Sequence, residues 1–240
     1  MKVRVVDFET SDMVGKGRPV ELCEVGWTDF DEDWKISRPQ AFLVNPGHKI
    51  TPEAQGVHHI SDEMVADAMS PAAARQLLME GMEPGDFFAA HHAEFERALF
   101  PGDPFPWICT MVCAKHLFPG APGFGNQTLR YHLGVDADFE WPALAMPPHR
   151  AGPDTYVSAH ILSRLTFIAN PRRLVELTTT PVLLEEVPFE RYRGQPWSAM
   201  DRGFLEWVLA PGKQTPMKPE VLHTARHWLQ KLDEPGNPFA

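Results

Sequence analysis

The sequence predicts an α/β fold: a mixed five-stranded sheet flanked by helices, with a small C-terminal add-on. Three observations lead there. Three strand-like stretches open the chain. Short apolar strands then alternate with helical runs, the pattern of a sheet covered on its faces. After a long helical run the pattern breaks at residues 170–181, and the rest of the 240-residue chain has a different character.

Each element follows from local signals. KVRVVDF (2–8) is β-branched and partly alternating, which marks a strand. PVELCEVGWTDFD (19–31) and WKISRPQAFLVNP (34–46), joined by the turn-like DFDED, complete a three-strand antiparallel opening. Ser61 before DEMVADA and Ser70 before Pro71 are helix N-caps. GDFFAAH (85–91) is a short buried strand, followed by helical AEFERALF (93–100). PWICTM (106–111) and VCAKHLFPG (112–120) repeat that step, and NQTLRYHLG ends a further helix at Gly134. After the Pro-rich WPALAMPPHRAGP, the run 154–169 sets Val157, Ile161, Leu162, Leu165 and Ile168 at helical spacing. KPEVLHTARHWLQKL (218–232) is a last helix. The expected domains are 1–170 and 181–240.

Bulk properties narrow the class. Hydrophobic content of 43% and charge of 22% are ordinary for a globular protein, and no apolar run reaches membrane-spanning length. The opening MKVRVVDFET lacks a signal-peptide pattern. Three cysteines (Cys23, Cys109, Cys113) without framework spacing read as free thiols, so the expected location is cytoplasmic. The net charge is −10. Residues 170–240 hold nine basic and nine acidic side chains, so the whole acidic excess lies in residues 1–169. That balance disfavours a purely electrostatic binder of nucleic acid and suits a site for hard divalent cations.

Candidate chemistry lies in three segments. Asp7 and Glu9 stand two apart on the first strand, so both carboxylates share a face and Phe8 points the other way. Such a pair repels itself unless a cation lies between, although the solvated end of an edge strand fits the spacing equally well. In HRAGPD (149–154), Pro153 suits the first turn of the long helix and sets Asp154 within it. His149 then falls on the preceding loop. A carboxylate fixed on a helix suits a metal ligand, and an imidazole on a loop suits a general base. AHHAEFE (90–96) offers His91, His92, Glu94 and Glu96, either a metal cluster or the wet face of an ordinary helix.

VVDFET (5–10), AHHAEFE and HRAGPD, in this order and at these separations, resemble the three motifs of the DEDDh 3′–5′ exonucleases. ITPEAQGVHHISDEMVAD (50–67), PWICTMVCAKHLFPG (106–120) and PFERYRGQPWSAMDRGFLEWVL (188–209) extend the likeness over nearly the whole chain, toward the bacterial exodeoxyribonuclease X branch. The resemblance implies an RNase H-like fold and two Mg²⁺, with Mn²⁺ as a substitute. It implies that Asp7, Glu9 and Asp154 ligate one ion, that Asp7 reaches a second, and that Glu96 holds the site from its own helix. His149 is the implied base for the attacking water. The implied substrate is DNA with a free 3′ end, single-stranded or duplex. Phe8, Thr10 and Met13 or Val14 are expected at the terminal nucleotide, with His58 near the 3′ end.

Two positions depart from the family pattern. His92 stands where Asn is usual, and is retained among the expected substrate contacts. Glu96 stands where Asp is usual, one methylene longer, or about 1.5 Å of reach, close to one residue's rise in a helix. Gly152 and Pro153 also replace bulkier residues. Arg191 and Arg193, beside Tyr192 and Trp197, suit phosphate contact and stacking, while the aromatics also suit the core of a small module. Two alternatives stand beside DNA hydrolysis: the same chemistry on short RNA, and a non-catalytic nucleic-acid-binding protein with a degenerate site.

Overall fold

Alternation along one strand organises the first unit of the protein. In β1 (Lys2–Thr10), Val3 and Val5 enter one hydrophobic core while Val6 and Phe8 enter another on the opposite face. Period-2 geometry therefore assigns Asp7 and Glu9 to the Val3/Val5 face. The computed structural model describes residues 1–13, 17–212 and 217–234. These fall into two units, Met1–Thr178 and Thr179–Ala240.

In the first unit β1 is followed by β2 (Leu22–Asp31), β3 (Gln40–Leu43), α1 (Pro52–His58), α2 (Asp62–Val65) and α3 (Pro71–Met79). Then come β4 (Phe87–Ala90), α4 (Ala93–Leu99), β5 (Trp107–Cys109), α5 (Thr110–Leu117), α6 (Asn126–His132), α7 (Ala151–Thr166) and α8 (Pro171–Thr179). The five strands form one mixed sheet in the order β3-β2-β1-β4-β5. β1–β2 and β2–β3 pair antiparallel, β1–β4 and β4–β5 parallel. One face carries α5, α6, α7 and α8, whose Ala114, Leu129, Val157, Ile161, Leu165 and Leu174 pack on Val3 and Val5. The other carries α3 and α4, with Leu78 and Ala93 against Val6, Phe8 and Val25.

Three elements differ from the expectation. The third strand is short, because Trp34 turns into the left-handed region (φ 65°) and Pro39, which has no amide to donate, precedes the paired residues. Residues 52–58 are helical, with Thr51 accepting a bond from the Ala54 amide and Pro52 opening the helix. Residues 171–179 form α8 where the sequence pattern breaks, because buried Leu174 and Leu177 join the first unit's core.

The docking of α7 on β2 needs a close approach. Gly26 pairs with Asp7 across the β1–β2 ladder. A Cβ at Gly26 would lie 2.6 Å from the Ala151 carbonyl carbon and 2.8 Å from the Gly152 amide nitrogen. A Cβ at Gly152 would lie 3.1 Å from that of Ala41. Gly26 and Gly152 thus let the start of α7 sit directly on the sheet. Thr28, also on this face, meets Thr155 through their hydroxyls at 3.0 Å.

The second unit contains α9 (Arg202–Leu209) and α10 (Pro219–Asp233). Its own core is Val187, Trp197, Met200, Leu205, Val208, Val221 and Ala225. Trp197 is buried and donates its indole N–H to the Glu186 carbonyl at 2.9 Å. Trp207 is 52% exposed, although its ring touches Phe189 and Phe204.

A Gly26→Ala substitution meets backbone rather than a yielding side chain. It is expected to cost about 1–3 kcal/mol, the usual range for overpacking. Urea unfolding measures this, and an unchanged midpoint would show that α7 can shift outward freely.

Candidate active site

The end of β1 and the start of α7 meet at one cavity of about 250 Å³. Asp7, Glu9, Glu96, His149 and Asp154 all line it, together with Phe8, Thr10, Met13, Val57 and His58. Single carboxylate oxygens of Asp7, Glu9 and Asp154 lie within 4.8 Å of one another. Glu96 borders the same cavity from α4 but stands outside that close triad.

The carboxylates share an adverse electrostatic environment. Burial, then the neighbouring Glu9, Glu96 and Asp154, hold the Asp7 carboxyl well above the usual range. Glu9 is pushed up to about 8 by burial, then by Glu24 and Asp154, with Arg150 opposing. Burial pushes Glu96 up to about 8. Asp154 is raised by burial, against the His149 amide that stabilises its anion. Glu96 Oε2 is buried without a hydrogen-bond partner among the described residues. Four crowded carboxylates, one with an unpartnered buried oxygen, form a donor set that fits a hard divalent cation.

The helix start is folded around Asp154. Its Oδ2 accepts from the His149 backbone N–H at 2.8 Å and its Oδ1 from the Gln127 amide at 3.3 Å. His149 adopts φ 60°, a conformation that L-residues seldom take, and its side chain is exposed at the cavity. Glu24 lies opposite Glu9 in the β1–β2 register and is buried. Its carboxylate accepts from Arg150 Nε at 3.0 Å and from the Ala151 amide at 2.8 Å, while Arg150 NH2 donates to its other oxygen at 2.5 Å. Neither Glu24 nor Gln127 carries a local motif. The antiparallel pairing of Glu24 with Glu9 is the signal that could have found it.

The remaining expected residues divide. Met13 is 45% exposed at the cavity rim, its amide held by Asp12 Oδ1 at 2.7 Å; Val14 lies outside the described residues. The Phe8 ring is buried in the opposite-face core. Thr10 donates its hydroxyl to the Asp12 carbonyl at 2.9 Å. Both nitrogens of His58 are engaged: Nε2 with the Thr10 carbonyl at 3.1 Å, Nδ1 accepting from the Ile60 amide at 3.0 Å. His58 thus braces the end of β1 as well as bordering the cavity. His92 is exposed at the start of α4, makes no capping bond and does not line the cavity. Glu94 is exposed, and His91 is tied to Thr110 and the Phe124 carbonyl, both at 2.9 Å. Arg191 and Arg193 are exposed in the second unit, Arg191 over the Tyr192 ring at 5.2 Å.

Fold and site together define a nuclease class, and residues 5–162 match the RNase_T exonuclease family model: the chain belongs to that family. It is a 3′–5′ exonuclease with an RNase H-like fold, in a divalent-metal-dependent family. Among individual relatives, it is 30% identical to Exodeoxyribonuclease 10 of Escherichia coli (strain K12), over 95% of this chain and 99% of that one. It is 27% identical to the solved Exonuclease X in complex with 5′ overhanging duplex DNA, with a TM-score of 0.59, covering 73% of this chain and 99% of that one. The nuclease domain of 3′hExo, a DEDDh family member bound to rAMP, shares the fold at 16% identity and a TM-score of 0.55, over 70% and 92% of the two chains. No helix among the described residues is long and apolar enough to cross a membrane.

The raised carboxyls give stability a direction with pH. Unfolded carboxyls titrate near about 4, whereas folded Glu9 and Glu96 titrate at about 8. Between those values the folded chain binds more protons than the unfolded one. Stability is therefore complete below the unfolded values and lost as pH rises toward the folded ones. In EDTA the melting midpoint is expected to fall from about pH 5 to pH 8, and less steeply in Glu96→Gln. A midpoint that rises over this range contradicts the assignment.

Proposed function

We propose that this exonuclease hydrolyses DNA from its 3′ end to 5′-mononucleotides, with two Mg²⁺ and His149 as general base. The single observation that carries the reading is the convergence of Asp7, Glu9, Asp154, Glu96 and His149 on one cavity. The 30% identity to an exodeoxyribonuclease along 95% of the chain supports DNA as the polymer. Three buried free cysteines fit a reducing cytoplasm.

Asp7, Glu9 and Asp154 would hold one ion, with Asp7 and Glu96 turned toward a second. Bound divalent ions supply charge neutralisation at the entering and leaving oxygens, and hard carboxylate donors favour Mg²⁺ or Mn²⁺. The chain's own groups do the rest. Exposed Met13 and Val57 give the cavity an apolar rim against which a terminal base can rest. His149 takes a proton from the attacking water, whose oxygen then bonds to the terminal phosphorus. The 3′-oxygen of the penultimate nucleotide leaves with the bonding electrons and is protonated from solvent. Asp154, bound to the His149 amide, fixes the loop that carries the imidazole. Arg191 and Arg193 are proposed phosphate contacts on the charge of their exposed guanidinium groups, whereas His92 does not line the cavity.

Oligonucleotides of DNA and RNA of equal sequence, labelled at the 5′ end, test this with Mg²⁺ present. A ladder shortening from the 3′ end is expected on DNA. His149→Ala should lower kcat by about 10²–10⁴-fold, the usual contribution of a general base. A ladder on RNA alone would overturn the choice of polymer, and an active His149→Ala would overturn the base.

Glu96→Asp tests the longer arm separately. With Glu96 Oε2 already buried at the cavity, shortening the side chain is expected to lower kcat by about ten-fold or more, as loss of a well-placed metal contact does. A gain in kcat would show that the glutamate is a handicap.

A further inference from the structure

We propose that Glu24 is a positioning residue for the reaction: through the Arg150 fork and the Ala151 amide it fixes the loop that presents His149. This rests on the exonuclease reading above and extends it to a side chain outside the catalytic set.

The start of α7 lacks a cap of its own, since the Arg150 side chain makes no capping bond there. Orphan amides at a helix start require an acceptor, and the partial positive charge there favours an anion. Glu24 supplies both from a different strand. One oxygen takes the Ala151 amide and Arg150 Nε, the other takes Arg150 NH2. Arg150 is thereby held by two guanidinium nitrogens, a geometry that fixes direction as well as distance. The residue before it is His149. Its backbone is pinned at φ 60° between two anchors, its own amide on Asp154 and the Arg150 side chain on Glu24.

The position of Glu24 is costly unless it has a use. It is 3% exposed and lies opposite Glu9, whose ionisation it opposes. A buried carboxylate beside a metal-binding carboxylate weakens the free site, and Arg150 offsets only part of that. A neutral acceptor would cap Ala151 without this penalty. Only the anion holds the guanidinium fork strongly, and the fork is what constrains the residue next to His149.

The test compares the wild-type chain with Glu24→Gln, which keeps the shape and an acceptor, and with Arg150→Lys, which keeps the charge and loses the fork. Both should lower kcat by about 10–100-fold, as loss of a supporting hydrogen bond does, with KM changed by no more than about two-fold. The rise in melting midpoint caused by Mn²⁺ should persist in both. Each variant should also be made in the His149→Ala background. If Glu24 acts through His149, the further loss there should stay within about two-fold, the tolerance for effects on one shared group. An equal loss in both backgrounds, or a lost response to Mn²⁺, overturns the proposal, because Glu24 would then support the fold or the ion. Wild-type kcat in Glu24→Gln overturns it too. If Glu24→Gln does not fold, Arg150→Lys carries the same comparison from a partly exposed position. A wild-type chain that produces no ladder fails the exonuclease reading and this inference with it, whereas a wild-type ladder unchanged in both variants fails the inference alone.

Discussion

The seating of α7 on the inner face of β2 is the contact on which the active site depends. Alternate residues of β2 meet successive parts of the helix start: Glu24 takes Arg150 and Ala151, Gly26 lies under Ala151 and Gly152, and Thr28 meets Thr155. β2 is in turn locked to β1 by a ladder that sets Glu24 opposite Glu9 and Gly26 opposite Asp7. A slip of β1 by one residue in that ladder would turn its side chains to the other face. Asp7 and Glu9 would then face Asp154 no longer. The buried valines of β1 oppose such a slip, because Val3 and Val5 would leave their core. Hydrophobic register thus positions charged chemistry more than 120 residues apart in sequence.

That arrangement is electrostatically adverse by construction. Packing forces Asp7, Glu9, Glu96 and Asp154 around one cavity, and burial penalises every one of their anions. Without a cation, protons are the available neutralisers, which is why two of these carboxyls titrate at about 8. A divalent ion competes with those protons for the same oxygens, so ion affinity and pH are linked at this site. Folding energy from the cores on the two faces of the sheet holds these carboxylates in a geometry they would not choose alone.

Much of this was readable in the sequence. D-x-E on a β-branched run assigns Asp7 and Glu9 to one face, and the Pro153 signal starts the long helix near Asp154. What was hidden is tertiary. Glu24 has no neighbour in sequence that betrays its role; only strand pairing brings it to Arg150. The helix at 52–58 carries a readable cap and proline, Thr51 and Pro52, yet its Gly56 and terminal histidines weaken the helical pattern. The helix at 171–179 has Asn170 accepting from the Arg173 amide, but ends in threonines of low helix propensity. Thr178 turns that weakness into a contact, accepting the Cys109 amide at 2.9 Å while bonding back to Leu174. His58, expected at the substrate, spends both ring nitrogens on backbone, which no motif reveals.

The segment AHHAEFE shows how burial sorts a run of similar residues. Four side chains with ligand chemistry lie within six positions, and their fates differ with their place in the β4–α4 turn and on α4. His91, just past β4, has both nitrogens bonded inside the protein, and burial lowers its pKa to about 4, so it stays neutral and structural. His92 and Glu94 are exposed. Glu96, on the inner face of α4, is 3% exposed with one oxygen unpartnered. A buried carboxylate oxygen without a partner carries a desolvation cost that a surface residue avoids. The carboxyl of Glu96 bonds back to its own backbone amide and still borders the cavity. Glu96 therefore borders the cavity from α4 while standing outside the tight triad of Asp7, Glu9 and Asp154.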